Sequence, residues 1–389
     1  LRASAPRTPT TPPIATIART GADVLFEPGA APSEDELARG LAALAATGAP
    51  LPEIRAEAGV AARAEGRIAT ARAIEADTRT LGPLTDPAVL AELAAREDFS
   101  PTALEAFTSC PFRWYVERGL GLQRFGPEPE AIARGELIHA ALHEVYSARP
   151  GELPRPETLD EWLAAVGPAV ERAAAAAGPD AAGAASRRAA ADVAAHVRLE
   201  AGRESPGFDP LLYEASFGLE EDGREGLDLG GWRLRGTIDR VDAAGDPAVG
   251  AGRRGVVIDY KSGNSSVKPW NEIVKERRLQ LQLYMKALRE LWGIEPVAAL
   301  YQPVARGDRR PRGPIDEGSA EDLAYLDPYR TDRTEVAAAI EAAVATAGEA
   351  VARIRSGRID HDPLSCVDHF QHAAVPDRVP AEDPDGNGR

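Results

Sequence analysis

Cysteine is nearly absent from this chain: Cys110 and Cys366 are the only two, too few for a disulfide framework and in keeping with a reducing cytoplasm. Methionine is scarcer still, with Met285 alone and none at the first position, which reads as a segment cut from a longer polypeptide. No apolar run approaches the ~18–20 residues that span a bilayer. The opening LRASAPRTPTTPP also lacks the apolar stretch of a secretory signal. The expectation is therefore a soluble, cytoplasmic protein with no membrane partner. A glycine-rich phosphate loop ending in Gly-Lys-Ser or Gly-Lys-Thr is missing as well, so no ATP-driven motor is evident in the segment. Positive charge is in deficit, 45 Lys plus Arg against 61 Asp plus Glu, a net −16. A free-standing nucleic-acid binder usually shows a basic footprint. Composition alone thus argues against DNA, unless a local basic groove or a tethered neighbouring domain supplies the attraction.

The 389 residues suffice for one large domain or two ordinary ones. The stretch to about Pro32 is rich in Pro, Thr and Ala and reads as linker. SEDELARGLAALAAT (33–47) reads as a short helix with Ser33 as N-cap and Glu36 completing a capping box. Residues 54–78 are alanine-rich and charged, and Asp86 to Glu97 reads as another helix. Residues 1–97 are taken together as a preceding region, the tail of an upstream domain, and 98–372 as the main domain. In FSPTALEAFTSCPFRWYVERGLGL, Ser100 caps a helix whose first turn holds Pro101, with Leu104, Phe107 and Phe112 as apolar contacts. Residues 133–148 carry Leu137, Ile138, Ala141, Leu142 and Val145 at helical spacing. An alanine-rich helical insertion follows over about 150–208.

Strand-like runs come next: LLYEASFGL (211–219), WRLRGTIDRVD (232–242) and RGVVIDYKSG (254–263). A long helix is predicted from Trp270 to Leu291, then a strand PVAALYQPV (296–304), an arginine-bearing loop (306–312) and a final helix at 333–356. Residues 373–389 read as a disordered tail. This order of elements indicates an α/β fold, a mixed central sheet flanked by helices.

Chemistry concentrates where a buried strand ends in polar residues. Val256, Val257 and Ile258 run into Asp259, Tyr260 and Lys261. Residues two apart on a strand face one way, so Asp259 and Lys261 would share a cavity. Alone, that pair reads more simply as an ion pair at a strand end. Asp239 lies twenty residues earlier, on what reads as the antiparallel neighbour. Two carboxylates brought together repel unless a cation sits between them; alternatively Asp239 pairs with Arg240 or Arg235 on a solvated face. His139 shares a helix face with His143, and a neutral imidazole could complete a metal sphere. Gln280 and Tyr284 are also four apart and could project together towards a substrate.

The ordered set FSPTALEAF–CPF, GELIH, GTIDRVD, IDYKSG and QLQLY runs from about Phe99 to Cys366. It resembles the PD-(D/E)XK nucleases, and among them the C-terminal nuclease domain of RecB- and AddB-type DNA-repair helicase-nucleases. Each motif is weak alone; five in order and spacing are specific. The resemblance implies a restriction-endonuclease-like core, Mg²⁺ or Mn²⁺ as cofactor, and DNA and a helicase motor domain or subunit as partners. By the same resemblance, His139, Asp239, Asp259 and the Tyr260 carbonyl would bind the metal. Lys261 would support the attacking water, and Gln280 with Tyr284 would position DNA in phosphodiester hydrolysis.

One departure concerns a four-cysteine iron–sulfur cluster that many relatives hold. Cys110 and Cys366 occupy its first two positions, His369 the third, and Val375 the neighbourhood of the last, so the cluster is read as lost. Cys110, Cys366, His369 and His372 offer zinc-type donors instead, in a spacing that is not standard for zinc. The competing readings are therefore a catalytically silent nuclease-fold module that binds DNA or a helicase partner, and a zinc-stapled interaction domain.

Overall fold

The computed structural model describes residues 83–359 apart from 122–129, 179–182, 206, 220–223, 246–251, 264–266, 305–306 and 329–331, together with a few residues between 31 and 41. The expected tail at 373–389 lies outside the described residues. Contacts divide the chain into two units, Leu1–Leu81 and Gly82–Arg389. In the first, the Ser33 hydroxyl accepts from the Glu36 amide at 3.2 Å, one half of the anticipated capping box.

The second unit begins with α1 (Pro87–Ala95), where Asp86 accepts from the amides of Ala88 and Val89 and Pro87 occupies the first turn. The short strand β1 (Asp98–Phe99) leads into α2 (Pro101–Ser109), capped by the Ser100 hydroxyl as its sequence indicates. Then come α3 (Pro111–Trp114), a π-turn at Tyr115–Gly119, and three longer helices: α4 (Glu130–Ser147), α5 (Leu159–Ala177) and α6 (Ala184–Ala201). The strands β2 (Asp209–Phe217), β3 (Leu227–Asp228), β4 (Arg233–Leu234), β5 (Gly236–Ala244) and β6 (Arg254–Lys261) follow. The remainder is α7 (Trp270–Lys275), α8 (Gln280–Trp292), β7 (Glu295–Pro303), β8 (Ile315–Asp316), β9 (Arg333–Thr334) and α9 (Val336–Arg355).

The main sheet has the order β2-β5-β6-β7-β8-β9. Its β2, β5 and β6 run antiparallel, and β6 and β7 run parallel with α8 in the crossover. A parallel pair joined by a helix must be covered on both faces, which is why β6 and β7 read as near-continuous apolar runs. One face packs Val241, Val257 and Tyr301 against Met285 of α8 and Ile340 of α9. The other packs Val256, Ile258 and Leu300 against Ile138, Trp162 and Val193 of the α4–α6 layer. A mixed sheet between helical layers is the α/β arrangement the element order called for. No described helix is long and apolar enough to cross a membrane.

One expected element is corrected. The single helix from Trp270 to Leu291 is two helices, separated at Glu276–Leu279. Arg277 takes a left-handed backbone (φ 52°), which no α-helix accommodates. The new N-terminus is capped from afar: the Glu105 carboxylate on α2 accepts from both Leu279 and Gln280 amides at 2.7 Å.

Candidate active site

Strand register builds the site. Tyr213 and Ala215 of β2 pair with Arg240 and Ile238 of β5, so Glu214 faces Asp239. Arg240 pairs with Ile258 of β6, so one residue on, Asp239 faces Asp259. Asp259 in turn pairs with Tyr301 of β7. Three carboxylates and a phenol thus lie in a row across four neighbouring strands. His139 reaches this row from α4, with Nδ1 3.3 Å from Asp239 Oδ2. The ligand atoms of His139, Glu214 and Asp239 all lie within 4.8 Å of one another, the single such His/Cys/Asp/Glu group among the described residues.

Local backbone features aim these groups. Glu214 adopts φ 43°, rare for a side chain larger than glycine; it is a strained position at the edge strand where the carboxylate turns towards Asp239. The β5–β6 ladder stops at Arg240 and Ile258, and beyond it the Tyr260 amide donates to Asp239 Oδ2 at 2.7 Å. A residue's N–H and C=O leave a strand on the same edge, so the Tyr260 carbonyl faces the Asp239 side too. The next carbonyl, of Lys261, accepts from Val304 on the opposite edge at 2.9 Å. Gly135 in GELIH admits the turn after Lys261: a Cβ there would lie 3.1 Å from Ser262 Oγ. Arg134 fastens this approach, donating to Ser262 O at 3.3 Å and pairing with Asp192 at 2.7 Å.

The electrostatics show too much negative charge for the groups present. Burial opposes protonation of His139, but the hydrogen bond and charge of Asp239, with Asp259 and Glu214 behind it, raise its pKa to about 9. Burial, and next the charge of Asp239, push Glu214 up to about 7. Asp259 is raised to about 6 by burial, partly opposed by Lys261 and reinforced by Asp239. The Lys261 ammonium lies against Asp259 Oδ2, yet that buried oxygen has no partner of hydrogen-bond geometry. A divalent cation with oxygen-rich coordination and one imidazole fits this donor set.

Lys261 is held on three sides. Besides Asp259, its Nζ donates to Gln280 Oε1 at 3.4 Å and sits 4.8 Å over the Tyr301 ring. The Tyr301 hydroxyl donates to the same Gln280 oxygen at 3.5 Å. Tyr284 lies beside Gln280 and, like it, is buried, its ring edge-on to Phe217 and pressed against Gly236. The structure therefore brings His139, Asp239, Asp259, Tyr260, Lys261 and Gln280 together, and packs Tyr284 beneath them with hydrogen bonds to Gln280 and the Thr237 backbone.

Behind the site, on the opposite face, Arg240 is fully buried and bridges Asp242 (2.8 Å), Glu200 (3.1 Å) and the Tyr260 hydroxyl (3.1 Å), tying α6 to β5 and β6. His196 lies in this layer with neither ring nitrogen hydrogen-bonded, and burial depresses its pKa to about 4. Of the degenerate cluster positions, Cys110 is buried and its Sγ accepts from the Arg113 amide at 3.4 Å. Cys366, His369 and His372 lie outside the described residues.

Sequence reasoning missed Glu214, Glu105 and Tyr301. Glu214 looks like any polar residue in LLYEASF, and Tyr301 like core in a buried strand. A glutamate within FSPTALEAF was the sole available hint of Glu105.

A carboxylate row on adjacent strands, closed by an ammonium and a helical histidine, defines a class: α/β proteins built to hold a divalent cation beside a lysine. A family-level sequence model of the PD-(D/E)XK nuclease superfamily matches residues 98–368, and the chain belongs to that superfamily. It is 31% identical over 247 residues to the B-type subunit of the ATP-dependent helicase/deoxyribonuclease of Moorella thermoacetica, a match covering 57% of this chain and 21% of that protein. It is 40% identical over 112 residues to the protein of the same name from Symbiobacterium thermophilum, covering 25% of this chain and 9% of that one. The chain thus spans about a fifth or less of the curated relatives it matches.

Proposed function

We propose that this chain is a divalent-metal-dependent deoxyribonuclease that hydrolyses phosphodiester bonds, working with a helicase motor in DNA repair or recombination. The observation that carries the reading is the row of Glu214, Asp239 and Asp259 closed by His139 on one side and Lys261 on the other. Mutually repelling carboxylates held together by strand register, with the pKa values of Glu214 and Asp259 raised, are costly unless a cation neutralises them. Mg²⁺ or Mn²⁺ would be held by His139, Glu214, Asp239, Asp259 and the Tyr260 carbonyl. When bound, the metal supplies Lewis-acid stabilisation of the charge that develops on the phosphoryl oxygens.

The chain's own residues do the rest. Lys261, braced by Asp259, Gln280 and the Tyr301 ring, keeps an ammonium beside the acids, where it can orient a water and counter charge on the phosphate. Gln280 spends its carbonyl oxygen on Lys261 and Tyr301 and one amide N–H on Tyr284, leaving the second N–H of its amide nitrogen to donate towards a phosphate oxygen. Tyr284 supports Gln280 and the start of β5 from below. The names of the relatives, which are described as helicase/deoxyribonuclease subunits, support the helicase partner.

The test is cleavage of labelled linear single- and double-stranded DNA by the purified chain with magnesium, manganese or EDTA. Metal-dependent cutting that Asp259→Ala and Lys261→Ala abolish is expected. Absence of cutting with either metal, in a folded protein that still binds DNA, would overturn the reading in favour of the catalytically silent module.

A further inference from the structure

Tyr301 is a tyrosine where packing alone asks for a phenylalanine. It is 1% exposed, inside the apolar cluster that holds Leu281, Met285 and Ile340. A phenol buried there is costly unless its hydroxyl finds a partner. The partner is the Gln280 side chain, whose Oε1 accepts from the Tyr301 hydroxyl at 3.5 Å and from Lys261 Nζ at 3.4 Å. The other end of the same carboxamide gives an N–H to Tyr284. Turned over, the amide would set its NH2 group against an ammonium and a phenol O–H, so one of its two orientations fits and the other does not.

The ring of Tyr301 meets a different group. Register sets Tyr301 beside Asp259, and residues two apart on β6 face one way. Lys261 therefore lies over the ring, with Nζ 4.8 Å from its centroid. The chain has four lysines, Lys261, Lys268, Lys275 and Lys286. Lys268 pairs with Glu272 of α7, Lys286 pairs with Glu290 of α8, and Lys275 is exposed. Lys261 is held instead by a carboxylate, an amide oxygen and a ring face. Of these three, Asp259 is the partner that a cation in the acidic row would share. The ring and the amide oxygen are neutral, so their hold on the ammonium does not compete for that charge. Without such a hold, an ammonium on a flexible four-carbon stem samples many positions.

We propose that Tyr301 is a positioning residue for phosphodiester hydrolysis: its ring is the floor that keeps the Lys261 ammonium at the acids, and its hydroxyl fixes the direction of the Gln280 carboxamide. The proposal rests on the nuclease reading and adds to it a residue that acts through two others. Buried as it is, Tyr301 works from beneath the site. One side chain thereby sets both the ammonium and the amide that face the phosphate. A leucine at this position would fill the core and do neither. A phenylalanine would keep the floor and lose the direction.

The test has two arms, both on the full chain. In the first, lysine is labelled with carbon-13 and the ε-methylene signal of Lys261 is read by NMR in EDTA, identified by its loss in Lys261→Arg. Lying over a ring face, that signal is expected upfield of those of Lys268, Lys275 and Lys286. Tyr301→Phe keeps the shift, and Tyr301→Leu abolishes it. In the second arm, cleavage of linear DNA with magnesium is followed at steady state. Tyr301→Phe lowers kcat about threefold, for one lost hydrogen bond, and Tyr301→Leu about thirtyfold, for that bond and the ring together, while the KM for DNA holds in both. Circular dichroism checks that each variant is folded, and Tyr301→Met, unbranched and adaptable in a core, takes the place of the leucine variant should that one unfold. The proposal is overturned if the leucine or methionine variant keeps the Lys261 shift or the wild-type kcat, or if phenylalanine costs as much as leucine. A shifted Lys261 signal in a wild type that cuts with neither metal removes the nuclease reading and leaves Tyr301 as the floor of Lys261. An unshifted signal in a wild type that does cut removes the role of Tyr301 and leaves the nuclease.

Discussion

Replacing Asp259 by asparagine should make the metal-free protein more stable while it abolishes cleavage. Asp259 is buried and its pKa is raised from 3.8 to about 6, largely by desolvation. At about 1.4 kcal/mol per pH unit, a rise of that size means that ionised Asp259 costs the native state about 3 kcal/mol at neutral pH. Asparagine has nearly the same shape and carries no such cost. The gain is reduced because Lys261, 23% exposed, loses its carboxylate and turns to water. A net stabilisation of about 1–2 kcal/mol remains, or a rise of roughly 2–6 °C in Tm for a domain of this size. The sign of the pH dependence follows from the raised value. Between about pH 4 and 6 the native state binds a proton that the unfolded chain has already lost, so the penalty is absent below that window and complete above it. Calorimetry in EDTA should therefore show the variant above wild type at pH 7.5 and level with it near pH 4. Magnesium should reverse the order at pH 7.5, since cation binding stabilises the wild type and has lost a ligand in the variant. An asparagine variant less stable than wild type in EDTA at pH 7.5 would refute the account of the row as a repulsive cluster waiting for a cation.

Two further outcomes are expected. His196 is buried as a neutral ring with a pKa near 4, against 6.5 when unfolded, so the unfolded chain binds the extra proton between those values and stability falls as pH drops through that window. The loss reaches about 3 kcal/mol at its lower end; His196→Leu should remove that much acid sensitivity from urea unfolding curves, and a variant as acid-sensitive as wild type would contradict it. Glu105→Ala removes the carboxylate that receives two amides at the start of α8, which costs about 1–2 kcal/mol as caps do. Because Gln280 begins that helix, turnover should fall several-fold while the KM for DNA holds, and an unaltered kcat would show that the cap serves folding alone.

The local features were legible because they depend on neighbours in the chain. Ser100 with Pro101, and Asp86 with Pro87, mark helix starts through contacts within three residues. The apolar run before Asp259 marks a central strand, and the period of two places Asp259 and Lys261 on one side. The break after Lys275 was not legible, because the carboxylate that restarts the helix comes from Glu105, far away in sequence. The four-residue spacing of Gln280 and Tyr284 puts both on one face of α8, whereas the depth of Tyr284 in the fold depends on Gly236 and Phe217.

What the sequence by itself determined is therefore the set of chemical groups and their local orientation: acids and a lysine at the ends of apolar strands, a histidine on a helix, and five motifs in the order of one superfamily. Tertiary structure alone decided which of those groups meet. Register across β2, β5, β6 and β7 chose Glu214 and Tyr301 as neighbours of the acids, and the packing of α4 across the strand ends delivered His139. Periodicity acts over a few residues, whereas strand register and helix docking are settled by burial of two whole sheet faces, and no short window of sequence contains that information.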